Sequence, residues 1–370
     1  MNNFQVFLES YGISFFYFKM ILGFSFSFLI TYLAIPTIIK ISRRKNLMDE
    51  PGARSSHLRK IPNLGGIAVF FSLGVCAPIF AYELFDRYKF LFASFIILFF
   101  VGVMDDIMVL RAYKKLVAQI LVSALMVIGS DVRIRSLFGV FGVYEINYFI
   151  SVMFSLMTFI ILINAFNLID GIDGLAGSYT VVTSALFGIS FYRLGSANDP
   201  LVVLCAIIIA ASLGFLIYNL SNKRSTKIFM GDTGSMILGF LLAFTGISFI
   251  DIFIEKRNEV FYHLQAAPVI AVAILILPII DTITVIITRL YHGKSVFSAD
   301  KNHIHHKLLN LGLTHRRSTA YIITYFLLII VVAYFLRHLD VNQLLMIIMA
   351  IGFLGAYLPI VLLKFKKRLK

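Results

Sequence analysis

The 370-residue chain contains no tryptophan and two cysteines. Cys76 and Cys205 each lie inside an apolar run, which excludes a disulfide framework and a cysteine-built metal site. Charge is scarce: 14% of residues are Asp, Glu, Lys or Arg, against about 25% in an ordinary soluble domain. So little charge cannot clothe a cytosolic enzyme, and the chain is too apolar to stay disordered. The N-terminal segment lacks a basic stretch followed by a small-residue cleavage site, so no removable signal peptide is expected. There is no 20–50-residue repeat and no low-complexity tract. What the chain has in abundance is apolar surface: 59% of residues, with 37 phenylalanines. A soluble fold of this size has nowhere to bury that much. The composition therefore predicts an all-α polytopic membrane protein, one integral-membrane domain over residues 1–370.

A bilayer-spanning helix needs about 20 mainly apolar residues. Eleven runs qualify, at about 17–40, 64–82, 89–104, 116–130, 149–165, 175–194, 200–218, 233–250, 267–289, 319–336 and 342–363. They are continuous rather than alternating, which argues against a β-barrel. Of the 33 Lys and Arg, 24 fall in the odd-numbered connections and the C-terminal tail KFKKRLK. The excess of basic residues in cytoplasmic loops then places that side in the cytoplasm, the N-terminus outside and the C-terminus inside. Topology thus accounts for the net charge of +14, and no nucleic-acid partner is needed. A share of these charges is available to anionic lipid or substrate phosphate. The external segment 131–148, with Gly139 and Gly142 between alternating apolar residues, is expected to form a small hairpin.

The polar clusters lie almost entirely in the loops assigned to the cytoplasm. Ionisable groups beside hydrocarbon are costly and usually functional. The first cluster is Asp105-Asp106, at the end of an apolar run. Two adjacent carboxylates repel, and a divalent cation or a basic neighbour such as Lys115 relieves this. Alone, the pair also reads as a polar helix end. In NAFNLIDGIDGLAG, Asn164, Asn167, Asp170 and Asp173 recur every three residues, followed at the same interval by Gly171, Gly174 and Gly177. Asn164 and Asn167 share one helical face, and the glycines allow a tight turn with close backbone approach to a ligand. An EF-hand is excluded: counted from Asp170, position 3 is Ile172 and position 12 is Val181. In KIFMGDTGS, Asp232 opens a span, where it serves either as a helix cap or as a ligand of a hard cation such as Mg²⁺.

The fourth cluster is SADKNHIHHKLLNLGLTHRRS. His303, His305 and His306 precede Arg316 and Arg317, and with Lys301 and Lys307 they suit a diphosphate if the imidazoles are cationic. Zinc is disfavoured because no cysteine joins them and no HExxH glutamate is present. Asp281 lies within the ninth run and needs a partner. Arg289, eight residues on and about 12 Å away along a helix, is one expectation, and a polar cavity is the other. The first loop adds DEPGARSSHLRKIPNLGG, with Arg54, His57 and Gly65-Gly66, and reads chiefly as structural.

Taken in order, DEPGARSSH…PNLGG, GVMDD, NAFNLIDGIDGLAG, IFMGDTGS, LPIIDT and SADKNHIHHKLLNLGLTHRRS resemble the polyprenyl-phosphate N-acetylhexosamine-1-phosphate transferase family, glycosyltransferase family 4. The resemblance spans about residues 40–320. The His-x-His-His form points to its WecA/TagO-like branch, because the branch that transfers phospho-MurNAc-pentapeptide is expected to carry three consecutive histidines. The resemblance implies transfer of an N-acetylhexosamine-1-phosphate, GlcNAc-1-phosphate by default, from a UDP-sugar to undecaprenyl phosphate with release of UMP. The product would be the first lipid-linked intermediate of a cell-surface polysaccharide, such as a cell-wall glycan or a lipopolysaccharide O-antigen. It also implies the bacterial inner membrane, membrane lipid as a partner, and Mg²⁺ as cofactor with Mn²⁺ as substitute; a homodimer is compatible with it.

The roles it implies are catalytic for Asp105, Asp106, Asp170, Asp173 and His306, and metal-binding for Asp232 and Asp105. Substrate binding falls to Lys115, Asn164, Asn167, Asn219, His303, His305 and Arg316. The family places an asparagine shortly before FMGD. Here Asn219 stands 13 residues before Asp232 and Asn222 ten before it. Two alternatives remain from this reading: the phospho-MurNAc-pentapeptide reaction, and an ion-coupled secondary transporter, whose sites lie near the midplane and often derive from inverted repeats.

Overall fold

The computed structural model describes residue 8 and residues 10–48, 60–255, 266–293, 295 and 303–368. Arg54, His57, Asp300 and Lys301 lie outside them. The chain is a bundle of helices: α1 Phe15–Arg44, α2 Gly65–Phe80, α3 Tyr82–Arg87, α4 Leu91–Met108 and α5 Ala112–Ala124, which a π-helical turn extends to Gly129. Then follow β1 Ser136–Val140, β2 Val143–Glu145, α6 Tyr148–Ile169, α7 Leu175–Arg193, α8 Asp199–Asn219 and α9 Gly231–Glu255. The last five are α10 Ala267–Ile274, α11 Ile276–Tyr291, α12 Ile304–Asn310, α13 His315–Phe335 and α14 Val341–Arg368.

Every one of the eleven apolar runs lies on a helix, as an all-α membrane protein requires. Among the described residues, nine helices are long and apolar enough to cross a bilayer. The run 64–82 is the 16-residue α2. The run 267–289 corrects the expectation of one continuous span: it is two helices, α10 and α11, bent by 74° at Leu275. The cause stands in the sequence. Pro278 has no N–H to offer the Ile274 carbonyl, so the bond that would carry the helix across Leu275 is missing. The expected hairpin is present, with β1 and β2 pairing antiparallel across Phe141-Gly142. Both turn residues have positive φ (53° and 75°), the geometry of a turn that matches strand twist.

α9 is the axis of the bundle. Within its span 94% of residues are buried, against 22% for α1. α2, α4, α6, α7 and α10 pack around it, and α1 and α8 form a flanking layer. Between helices in lipid there is little hydrophobic gain, so close packing and small residues must hold them. Aromatic rings fill the middle: Phe240 meets Phe159 at 5.6 Å and Phe95 at 5.8 Å. At the N-terminal end of α9 glycines replace them. A Cβ on Gly66 would lie 2.1 Å from the Gly234 nitrogen, and one on Gly102 would lie 2.4 Å from Thr233 Cα. The ends of α2, α4 and α9 therefore meet backbone to backbone.

Candidate active site

That junction carries the first part of the site. Residues 62–66 run beside 229–230 like two strands: Phe229 N donates to Pro62 O (2.8 Å), Gly65 N to Phe229 O (2.9 Å) and Gly66 N to Met230 O (2.7 Å). PNLGG is thus the structural partner of IFMGD. Gly231 then turns the chain at φ +75°, and Asp232 enters the first turn of α9. Asp106 accepts from Asp232 N (2.7 Å), Thr233 N (3.0 Å) and Thr233 Oγ1 (2.5 Å). Asp105, one residue earlier, points elsewhere. It accepts from Leu110 N at 2.6 Å and pairs with Lys115 Nζ at 2.5 Å. The same ammonium pairs with Asp232 at 2.7 Å. Asn167 Nδ2 donates to the other Asp232 oxygen and, at 2.8 Å, to Ser235 Oγ. Asn164 exchanges hydrogen bonds with Gln119, 2.6 Å one way and 3.3 Å the other.

The loop after α6 brings the second part. Burial, and then the charges of Asp232, Asp106 and Asp173, push the Asp170 carboxyl well above the usual carboxylate range. Among the described residues no side chain donates a hydrogen bond to it. Asp173 is held differently. Burial alone would raise it, but His315 at 3.3 Å and Lys227 at 2.5 Å keep it below its ordinary range. Asn219 spans this loop and the extended segment before α9. Its Oδ1 accepts from Gly174 N (2.6 Å) and its Nδ2 donates to Ile228 O (2.9 Å). Both ends of the amide are engaged by backbone, so Asn219 fixes the loop. Arg316 donates to the Leu220 carbonyl at the end of α8.

The histidines form the third part. Asp281 is paired not with Arg289, as the sequence led us to expect, but with His303 Nδ1 at 2.7 Å, and it also accepts from Ile304 N at 2.8 Å. Through these two bonds α11 holds the start of α12. His303 and His305 stack with ring centroids 5.6 Å apart, and His306 lies 4.3 Å from His305. His305 Nε2 rests against Gly171, where a Cβ would lie only 2.2 Å from it. The histidines therefore sit on the Asp170 loop. Burial drives His305 down to about 3, with the neighbouring histidines acting in the same direction and Asp281 opposing them. Burial thus favours the neutral imidazole at this position.

Sequence reasoning missed Lys227, His315, Gln119 and Thr233. Lys227 carried a signal, as the basic residue five before Asp232; Gln119, inside an apolar run, carried one too. Among the described residues, no three His, Cys, Asp or Glu side chains converge as a ready-made metal cage. The donor chemistry nevertheless fits a hard cation. Asp105 and Asp232 share one ammonium, Lys115, and Asp106 and Asp170 lie near enough for their charges to act on the same group. Mg²⁺ needs only one or two carboxylates and completes its shell with water and substrate phosphate.

The family model described as Glycosyl transferase family 4 matches residues 88–250, from Asp105 through Asp232. The chain is 31% identical over 301 residues to "Undecaprenyl-phosphate alpha-N-acetylglucosaminyl 1-phosphate transferase" of Escherichia coli (strain K12), covering 79% of this chain and 77% of that protein. It is 32% identical over 306 residues to the Yersinia pestis protein of the same name, covering 81% and 78%. To "Probable undecaprenyl-phosphate N-acetylglucosaminyl 1-phosphate transferase" of Bacillus subtilis (strain 168) it is 30% identical over 308 residues, covering 82% and 81%. With such identity sustained across four-fifths of its length, and the carboxylate cluster inside the matched region, the chain belongs to glycosyl transferase family 4.

Proposed function

We propose that the protein transfers N-acetylglucosamine-1-phosphate from UDP-N-acetylglucosamine to undecaprenyl phosphate. The names of its relatives support this over the phospho-MurNAc-pentapeptide and transporter alternatives. The carrying observation is the carboxylate cluster at the N-terminus of α9: Asp105 and Asp232 share one ammonium, Asp106 and Asp170 lie beside them, and the histidine array docks there through Gly171. Two anionic reactants cannot meet there without a cation. Mg²⁺, or Mn²⁺ in its place, held by Asp232 with Asp105 and Asp170 near, would neutralise the donor diphosphate.

The remaining work belongs to the chain's own groups. A lipid-phosphate oxygen attacks the phosphorus that bears the sugar. The bond from that phosphorus to the bridging oxygen breaks, and UMP leaves with the electron pair. An ionised phosphate needs orientation more than a strong base. Lys115 supplies a positive charge for an approaching phosphate, and Asp105 holds that ammonium in place. Asn167 orients Asp232, while Asn164 is itself oriented by Gln119. His303, aligned by Asp281, and His306 offer hydrogen bonds to the diphosphate. We assign the site to the cytoplasmic face of the bacterial inner membrane on the distribution of Lys and Arg.

One experiment tests both the reaction and the orientation. Inside-out membrane vesicles given radiolabelled UDP-N-acetylglucosamine and undecaprenyl phosphate should form labelled lipid. Sealed right-side-out vesicles should not. Labelling by right-side-out vesicles alone would reverse the orientation. No labelling in either, with another UDP-N-acetylhexosamine active, would change the sugar.

A further inference from the structure

We propose that Asp106 is a positioning residue: it caps α9 from a neighbouring helix and thereby fixes where the Asp232 carboxylate stands. The inference rests on the assignment of Asp232 to the cation. Three donors of the first turn of α9 end on Asp106, namely two backbone N–H groups and the Thr233 hydroxyl. The first N–H groups of a helix have no partner within it, and near hydrocarbon an unmet N–H is costly. Asp106 meets two of them at once.

The surroundings hold this cap in place. Gly231 directs the donors back toward α4, and a Cβ there would lie 2.6 Å from an Asp106 oxygen and 2.0 Å from the Asn63 carbonyl. Asn63 Nδ2 reaches the Asp106 carbonyl oxygen at 3.4 Å. Gly102, one helical turn earlier, presses on Thr233. Successive residues on a helix point about 100° apart, so the two adjacent aspartates separate. Asp105 faces Lys115, and Asp106 faces the backbone that carries Asp232. For Asp106 to take a proton from a lipid phosphate, its oxygens would have to abandon the helix end.

The test uses purified full-length protein in detergent, with Mn²⁺ binding followed by electron paramagnetic resonance alongside transfer kinetics. Asp106→Asn keeps the shape but turns an NH₂ toward the backbone donors. The Mn²⁺ dissociation constant should rise about 10–100-fold, the usual cost of losing a group that orients a metal ligand. The KM for undecaprenyl phosphate should stay near the parent value while kcat falls. The double variant Asp106→Asn/Asp232→Asn should bind Mn²⁺ no more weakly than Asp232→Asn alone. Thr233→Val removes one of the three donors and should give a smaller shift in the same direction, which keeps the test decisive if Asp106→Asn does not fold. Mn²⁺ affinity equal to the parent's in these variants, or a raised KM for undecaprenyl phosphate with Mn²⁺ affinity intact, would overturn the proposal. Active parent protein with Mn²⁺ binding indifferent to the cap sinks the cap alone. Cap-dependent Mn²⁺ binding without any transfer sinks the proposed reaction alone.

Discussion

The two ends of α9 each carry an aspartate, and they balance charge in opposite ways. Near its C-terminus Asp251 pairs with Arg135, which also pairs with Asp131 at 2.7 Å; Arg133 pairs with Asp131 at 2.7 Å and stacks over Tyr148. Two acids meet two bases. Burial would raise the Asp131 carboxyl, but the two arginines hold it below its ordinary range. At the N-terminus Asp105 and Asp232 share one ammonium, with Asp170 near and Asp106 on the helix end. The first arrangement is complete and joins the hairpin region to the bundle. On the proposed function, a cation would balance the negative charge left in the second. The difference would then separate a structural ion-pair network from a site of chemistry, although both are built from the same residue types.

Removing the cation should expose this contrast most strongly. EDTA should abolish transfer, and Mg²⁺ or Mn²⁺ should restore it; full activity after chelation would equate the two ends. Next in size, Asp232→Asn should lower kcat by about 10²–10³ and move half-activation to higher Mg²⁺. His306→Ala should lower the rate without that move, and an equal shift in both variants would place the histidine at the metal. At the opposite end, Asp251→Asn should lower Tm by about 2–4 °C, the scale of ~1 kcal/mol, while the metal response stays unchanged. A change in Mg²⁺ half-activation there would mean that the two ends are coupled.

The smallest effect concerns His305. Its ordinary value is 6.5 and its folded value about 3. Between those limits the unfolded chain binds a proton that the folded one does not, so stability falls as pH drops from about 6.5 toward 3. Tm measured across pH 7 to 4.5 should decline less steeply for His305→Gln than for the parent. Equal slopes would mean that His305 is accessible and charged.

Much of this was legible in the chain. Continuous apolar runs predicted where the long helices lie, because a run of that length without charge has no alternative to a helix in lipid. The motif residues around Asp105, Asp170, Asp232 and His303 do gather, since polar groups expelled from hydrocarbon collect at the helix ends. Pro278 announced the break in the ninth run, and only the reading of one span hid it.

What the sequence by itself determined is therefore the solvent, the helices and the inventory of chemical groups, because hydropathy and residue type are local properties. The division of labour came from the tertiary structure alone. Which way Asp105 and Asp106 each turn depends on which helix lies beside each. That Asp281 serves His303, 22 residues on, depends on the start of α12 meeting α11 in space. That Asn219 fixes a loop depends on the two backbones converging on its amide. His305 is pushed toward its neutral form by what covers it. A side chain's charge and partners follow from its neighbours in space, and the residues before and after it in the chain do not name them.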